Sequence, residues 1–116
     1  MSTLYKHKVI ALVNQIPQGK VTNFGSIAKQ VGIRAQLIGW ILSGLSTTEC
    51  DGCCWYRVVA KDGFISSLKL GTKGFIQKQI LIEQGYDLVG EGKNQVNMAI
   101  HFWDFDNDES DLLLDL

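Results

Sequence analysis

Apolar residues recur at helical spacing from Leu4 to Gln15, with Tyr5, Val9, Leu12 and then Ile16 on one side and Lys6, His7 and Lys8 on the other. That pattern predicts a helix that Ser2 or Thr3 would cap. Ile16-Pro17-Gln18-Gly19 ends it, because proline disfavours a helical residue before it and glycine frees the backbone after it. Phe24, Ile27, Ala28 and Val31 then give one apolar face of a short helix, with Thr22 as the expected cap and Gly32 as the stop. A third helix is expected from Ala35 to Leu45, with Leu37, Ile38, Ile41, Leu42 and Leu45 apolar. Two short helices meeting at Gly32 form a helix-turn-helix pattern.

Beyond Leu45 the pattern shortens. Ser46 to Gly52 reads as a loop, Trp55 to Val59 as a strand, Lys61-Asp62-Gly63 as a turn and Phe64-Ile65-Ser66 as the returning strand. A last helix is predicted from Thr72 to Gln84, ending at Gly85, with one short strand around Val96 to Ile100. A hairpin after a helix-turn-helix implies a winged helix. The expected fold is therefore mainly α with a small β-hairpin, one domain over residues 1–103 followed by an acidic tail over 104–116.

Length and composition agree with one modest core: 116 residues, 46% hydrophobic and 20% charged. The longest uncharged stretch, Ala35 to Thr48, is too short and too polar to span a bilayer, so no membrane association is expected. No basic start with a following apolar run marks a secretion signal. Cys50, Cys53 and Cys54 cannot all pair within one chain, which favours a reducing compartment. The expected location is the cytoplasm, associated with the nucleoid, or the nucleus in a eukaryote.

The net charge of −1 hides an asymmetry. All eleven Lys and Arg lie between Lys6 and Lys93 among six acids, giving that body +5, while the last thirteen residues carry six acids and no base, giving −6. Such a body suits phosphates. The tail reads as a solvated, disordered end, or else as a polyanion mimic over the basic face or a partner-docking segment through Leu112, Leu113 and Leu114.

Two motifs carry chemistry. Ile16-Pro17-Gln18-Gly19-Lys20-Val21-Thr22-Asn23-Phe24-Gly25-Ser26-Ile27-Ala28 resembles the IPxGKVxTYGxIA signature of the O6-alkylguanine-DNA alkyltransferase superfamily. Cys54-Trp55-Tyr56-Arg57-Val58-Val59 falls where those proteins carry Pro-Cys-His-Arg-Val. Glu83-Gln84-Gly85 resembles the segment supplying the acid of their Cys–His–Glu relay, and Phe102-Trp103 the end of the shorter members. The resemblance spans Tyr5 to Trp103.

It also exposes what has changed. The alkyltransferases take an alkyl group onto a cysteine activated by histidine, and here those two positions hold Trp55 and Tyr56. An indole is no such nucleophile, and a phenol is a poor base at neutral pH. The chain is thus similar to the alkyltransferase-like branch, which implies no catalytic residue, no cofactor and no metal. The implied partner is double-stranded DNA carrying O6-alkylguanine, whose damaged nucleotide is flipped out and flagged for nucleotide excision repair proteins. A monomer is expected.

By the same resemblance, Phe24, Ala35, Gln36 and Gly39 are expected to contact DNA, with Arg34 as a partial substitute for the missing arginine. The lesion pocket is expected to comprise Trp55, Tyr56 and Arg57 together with Ser66 and Ser67, which follow the wing and either donate to a flipped base or cap a turn. Gln36 stands where the family has an intercalating arginine, Phe24 where it has a tyrosine, and Trp40 where it has a small residue. Trp40 is a block if it faces the groove and packing if it faces the core. Outside the motif, Trp55 reads as a core aromatic. Arg57 also suits a structural role, its fork matching backbone carbonyls or Glu83. Lys20, Lys29, Lys69, Lys73 and Lys78 meet phosphates only if they share a face.

The cysteines lack the second Cys/His pair of a zinc site and read mainly as loop thiols. Two other functions stay open. One is a degenerate winged-helix interaction module that has lost minor-groove binding and carries a DNA-mimicking tail. The other is an alkyltransferase using Cys54.

Overall fold

The computed structural model describes residues 3–67 and 72–105. Six α-helices lie among the described residues: α1 (Thr3–Val13), α2 (Phe24–Val31), α3 (Ala35–Ser43), α4 (Thr47–Asp51), α5 (Thr72–Glu83) and α6 (Met98–His101). Four two-residue strands accompany them: β1 (Thr22–Asn23), β2 (Val58–Val59), β3 (Leu88–Val89) and β4 (Gln95–Val96). No helix among the described residues is long and apolar enough to cross a membrane.

The helix-turn-helix forms where the pattern puts it. Asn23, not Thr22, caps α2: its side chain accepts from the Ser26 N–H at 2.8 Å, while Thr22 is buried in β1. Gly32 closes α2 in the left-handed region at φ +85°, its N–H reaching the Ala28 carbonyl at 2.7 Å, and the chain re-enters a helix three residues later. Val9 and Val13 of α1, Ile27 of α2 and Ile38 and Ile41 of α3 make the first core, together with Ile16.

Three expected elements differ. The loop after α3 holds α4, nucleated by a capping box: Ser46 Oγ accepts from the Glu49 N–H at 3.2 Å and Glu49 Oε1 from the Ser46 N–H at 2.9 Å. Lys6 reaches the same carboxylate at 2.7 Å, and that hydrogen bond, with the Ser46 N–H, holds Glu49 down at about 2.

The expected hairpin is also reorganised. Trp55–Arg57 is a 3-10 turn rather than a strand, and β2 pairs in parallel with β1, Thr22 opposite Val58 and Asn23 opposite Val59. The turn at 60–63 does close, with the Ala60 N–H on the Phe64 carbonyl at 3.0 Å. The returning chain nevertheless lies against the segment 94–96, through Ile65 N–H to Asn94 O and Val96 N–H to Gly63 O. Gly63, at φ +93°, permits this approach, since any Cβ there would strike the Val96 carbonyl. Finally, the strand expected over Val96 to Ile100 stops early: β4 pairs antiparallel with β3, and Asn97 caps α6.

A second core of Val21, Val59, Ile65, Leu81, Tyr86 and Val96 joins these pieces. Between the cores, the turn at residues 16–20 is held by three distant side chains. Arg57 Nη1 donates to the Ile16 carbonyl at 2.9 Å, His101 Nδ1 to that of Gly19 at 2.8 Å and the Tyr86 hydroxyl to that of Lys20 at 2.8 Å. Those anchors fix where β1 and α2 begin, and hence where Phe24 points. At the far end the Trp103 N–H meets the Val21 carbonyl at 2.8 Å, and Phe105 packs edge-on to Trp103, both rings against the first core. The expected disordered tail lies, from residue 106 on, outside the described residues.

Candidate nucleic-acid interface

A cavity of about 300 Å³ opens between α3, α5 and the segment carrying Trp55. Phe24, Gly39, Trp40, Leu42, Trp55, Val58, Ser66, Ser67, Lys73 and Gln77 are among its walls. Its size and largely apolar lining suit a flat aromatic ligand. A Cβ on Gly39 would meet the Phe24 ring at 4.0 Å, an ordinary contact, so space alone does not demand glycine there.

Gln77 braces the floor. It is 2% exposed, its Nε2 donates to the carbonyls of Tyr56 at 3.0 Å and Val58 at 3.1 Å, and its Oε1 accepts from the Ser67 hydroxyl. A buried amide satisfied on both ends ties α5 to the turn that presents Trp55. The residue pattern alone does not single out Gln77; its only signal is a polar residue on the inward face of a predicted helix.

Trp55 is half-buried in the wall, with the Lys73 ammonium 5.2 Å from its ring centroid. Ser66 and Ser67 line the same space. Tyr56 and Arg57, expected in the pocket, are not among its lining residues. Successive residues of the 3-10 turn point in different directions, so Tyr56 sets its ring edge-on to Trp55 at 6.2 Å and packs on the second core. Arg57 is buried beneath the motif, 5.4 Å from the Tyr56 ring and bonded to the Ile16 carbonyl rather than to Glu83. Glu83 itself is exposed and meets Gln79 at 3.4 Å. The side chain at the Tyr56 hydroxyl is Gln84, whose Nε2 donates to it at 3.3 Å. A glutamine and a tyrosine thus face each other where the relay's acid and histidine were expected.

Beside the cavity, Arg34, Ala35 and Gln36 are all exposed at the start of α3. One turn further on, Trp40 is 59% exposed and forms part of the cavity's wall, so it faces outward and is not core packing. The lysines are dispersed. Lys20 Nζ donates to the Ile100 carbonyl at 3.0 Å, Lys78 to that of Gly92 at 2.9 Å and Lys73 to that of Leu42 at 3.1 Å, while Lys69 lies outside the described residues.

No cysteine lines the cavity. All three are free; burial, helped by the neighbouring Cys54 and Cys50, pushes the Cys53 thiol up to about 11. Cys54 has its N–H held by Asn14 Oδ1 at 3.0 Å. Among the described residues no group of three or more His, Cys, Asp or Glu is placed to hold a metal ion.

A helix-turn-helix whose second helix borders an aromatic-walled pocket defines a class of DNA-binding domain. Residues 4–85 match the family described as 6-O-methylguanine DNA methyltransferase, DNA binding domain, and the chain belongs to it. It is 31% identical over 103 residues to the DNA base-flipping protein of Escherichia coli, covering 87% of this chain and 75% of that one. To alkyltransferase-like protein 1 of Schizosaccharomyces pombe it is 30% identical over 100 residues, 83% of this chain and 91% of the other. The structure resembles that of S. pombe Atl1 in complex with damaged DNA containing O6-carboxymethylguanine. The TM-score is 0.76 at 27% identity, over 89% of this chain and 97% of that one.

Proposed function

We propose that this protein is a non-enzymatic sensor of O6-alkylated guanine in duplex DNA. It would hold the damaged nucleotide out of the stack in the cavity beside Trp55 and flag the site for nucleotide excision repair proteins. One observation carries the reading: Trp55, which the motif resemblance matches to the family's acceptor cysteine, walls a cavity that opens beside the exposed start of α3. The names of the relatives, a base-flipping protein and an alkyltransferase-like protein, and the bound DNA of the structural neighbours support it.

The chemistry follows from the side chains. Extruding a nucleotide costs a few kcal/mol, which an aromatic wall offsets by stacking. Gln36, exposed in the first turn of α3, fills the gap by wedging and hydrogen bonding without the charge of an arginine. Trp40, exposed on the cavity wall where the family has a small residue, is bulk that a bound groove must accommodate. No alkyl group is accepted, because Trp55, Tyr56 and Gln84 offer neither a thiolate nor a base to make one, and Cys54 stands outside the cavity.

The test is a titration of labelled duplexes with and without O6-methylguanine at two salt concentrations, followed by the protein's intact mass. A sensor prefers the lesion, weakens with salt and gains no mass. A stoichiometric gain on a cysteine would establish alkyl transfer instead. Absence of binding to either duplex would favour an interaction module, a reading that the exposed Phe75, Ile76 and Ile82 of α5 support.

A further inference from the structure

Among the described residues lining the cavity, Lys73 alone is charged. It stands in the first turn of α5 and is drawn inward by two contacts. Its Nζ donates to the Leu42 carbonyl near the end of α3 at 3.1 Å and lies 5.2 Å from the Trp55 ring centroid. Both partners are uncharged, so neither cancels the ammonium. Of its three N–H donors, one is committed to Leu42.

The direction of a bound lesion follows from the reaction of the family. An acceptor side chain attacks the carbon attached to O6, so the residue at that position faces the O6 substituent. By the motif resemblance, Trp55 takes that position here. A guanine seated in this cavity would therefore aim its substituent at Trp55 and bring it within reach of Lys73. A half-buried cation on a mainly apolar wall attracts an anion more strongly than one in bulk water, and a charge-assisted hydrogen bond adds direction. Neutral alkyl groups gain nothing comparable.

From this geometry we infer that Lys73 is a specificity-determining residue, favouring guanines whose O6 substituent carries a negative charge over neutral substituents of the same size. The inference rests on the lesion-sensing reading above. Three duplexes test it, carrying O6-methylguanine, O6-carboxymethylguanine or the neutral isostere O6-carbamoylmethylguanine, each compared with an undamaged duplex.

The wild type should bind the carboxymethyl duplex about tenfold more tightly than the carbamoylmethyl one. Lys73→Met should bring that ratio to one whatever it does to absolute affinity, and Lys73→Arg should keep it above one. A wild-type ratio of one, or a ratio unchanged in Lys73→Met, overturns the inference. Should the methionine variant fail to fold, loss of the preference in the arginine variant, or its indifference to salt in the wild type, overturns it equally. Lack of preference for any lesion over guanine contradicts the sensor reading itself, whereas preference blind to charge removes only the role of Lys73.

Discussion

Gln77 and Cys53 are buried side chains whose neighbourhoods set measurable properties. Replacing Gln77 by leucine keeps the volume but strips partners from the Tyr56 and Val58 carbonyls and the Ser67 hydroxyl, at a cost of about 3 kcal/mol in urea unfolding. The Cys53 thiol, raised to about 11 by burial, stays protonated in the folded chain over a range where an unfolded thiol ionises. Its stabilising contribution is complete below the unfolded value near 9 and is lost as pH rises towards 11. Unfolding followed from pH 8 to 11 should therefore show falling stability, with a shallower slope in Cys53→Ala. At this scale the sequence showed which residues were unusual, but not which way they point. Trp55 was legible because a motif flanked it. Tyr56, Arg57 and the Glu83–Gln84 choice were not, since a 3-10 turn and a helix end decide their directions.

Helical periodicity located α1, α2, α3 and α5 within a few residues. The first three each bury an apolar stripe against the first core, whereas α5 buries Gly74, Gln77 and Leu81, the last in the second core, and leaves Phe75 and Ile82 exposed. The short elements were harder. β1 and β2 have two residues each, and their parallel pairing joins positions 36 residues apart, which no local pattern encodes. α4 is legible in principle, as Ser46 and Glu49 stand at capping-box spacing, although the polar run from Ser46 to Gly52 by itself predicts a loop. Ser46→Ala should lower stability by about 1 kcal/mol in thermal or urea unfolding. An unchanged midpoint would mean that α4 is held by Lys6 and Glu49 rather than by its cap.

For the whole molecule, charge and shape act together. The exposed start of α3 and the cavity lie on a body of net +5, while the final segment is strongly negative. Removing residues 106–116 deletes five acids and raises the net charge from −1 to +4. The shortened protein should bind undamaged duplex several-fold more tightly at low salt and show a steeper salt dependence in the same titration. Equal affinities would mean that the acidic segment leaves the DNA-facing surface alone. The central claim is that an indole at the acceptor position holds a modified guanine without reacting with it. Its most direct test is the ratio of affinities for an O6-methylguanine duplex and its undamaged counterpart, in the wild type and in Trp55→Ala. The account predicts a clear wild-type preference that falls about tenfold when the indole is removed; a preference that survives intact in Trp55→Ala would contradict it.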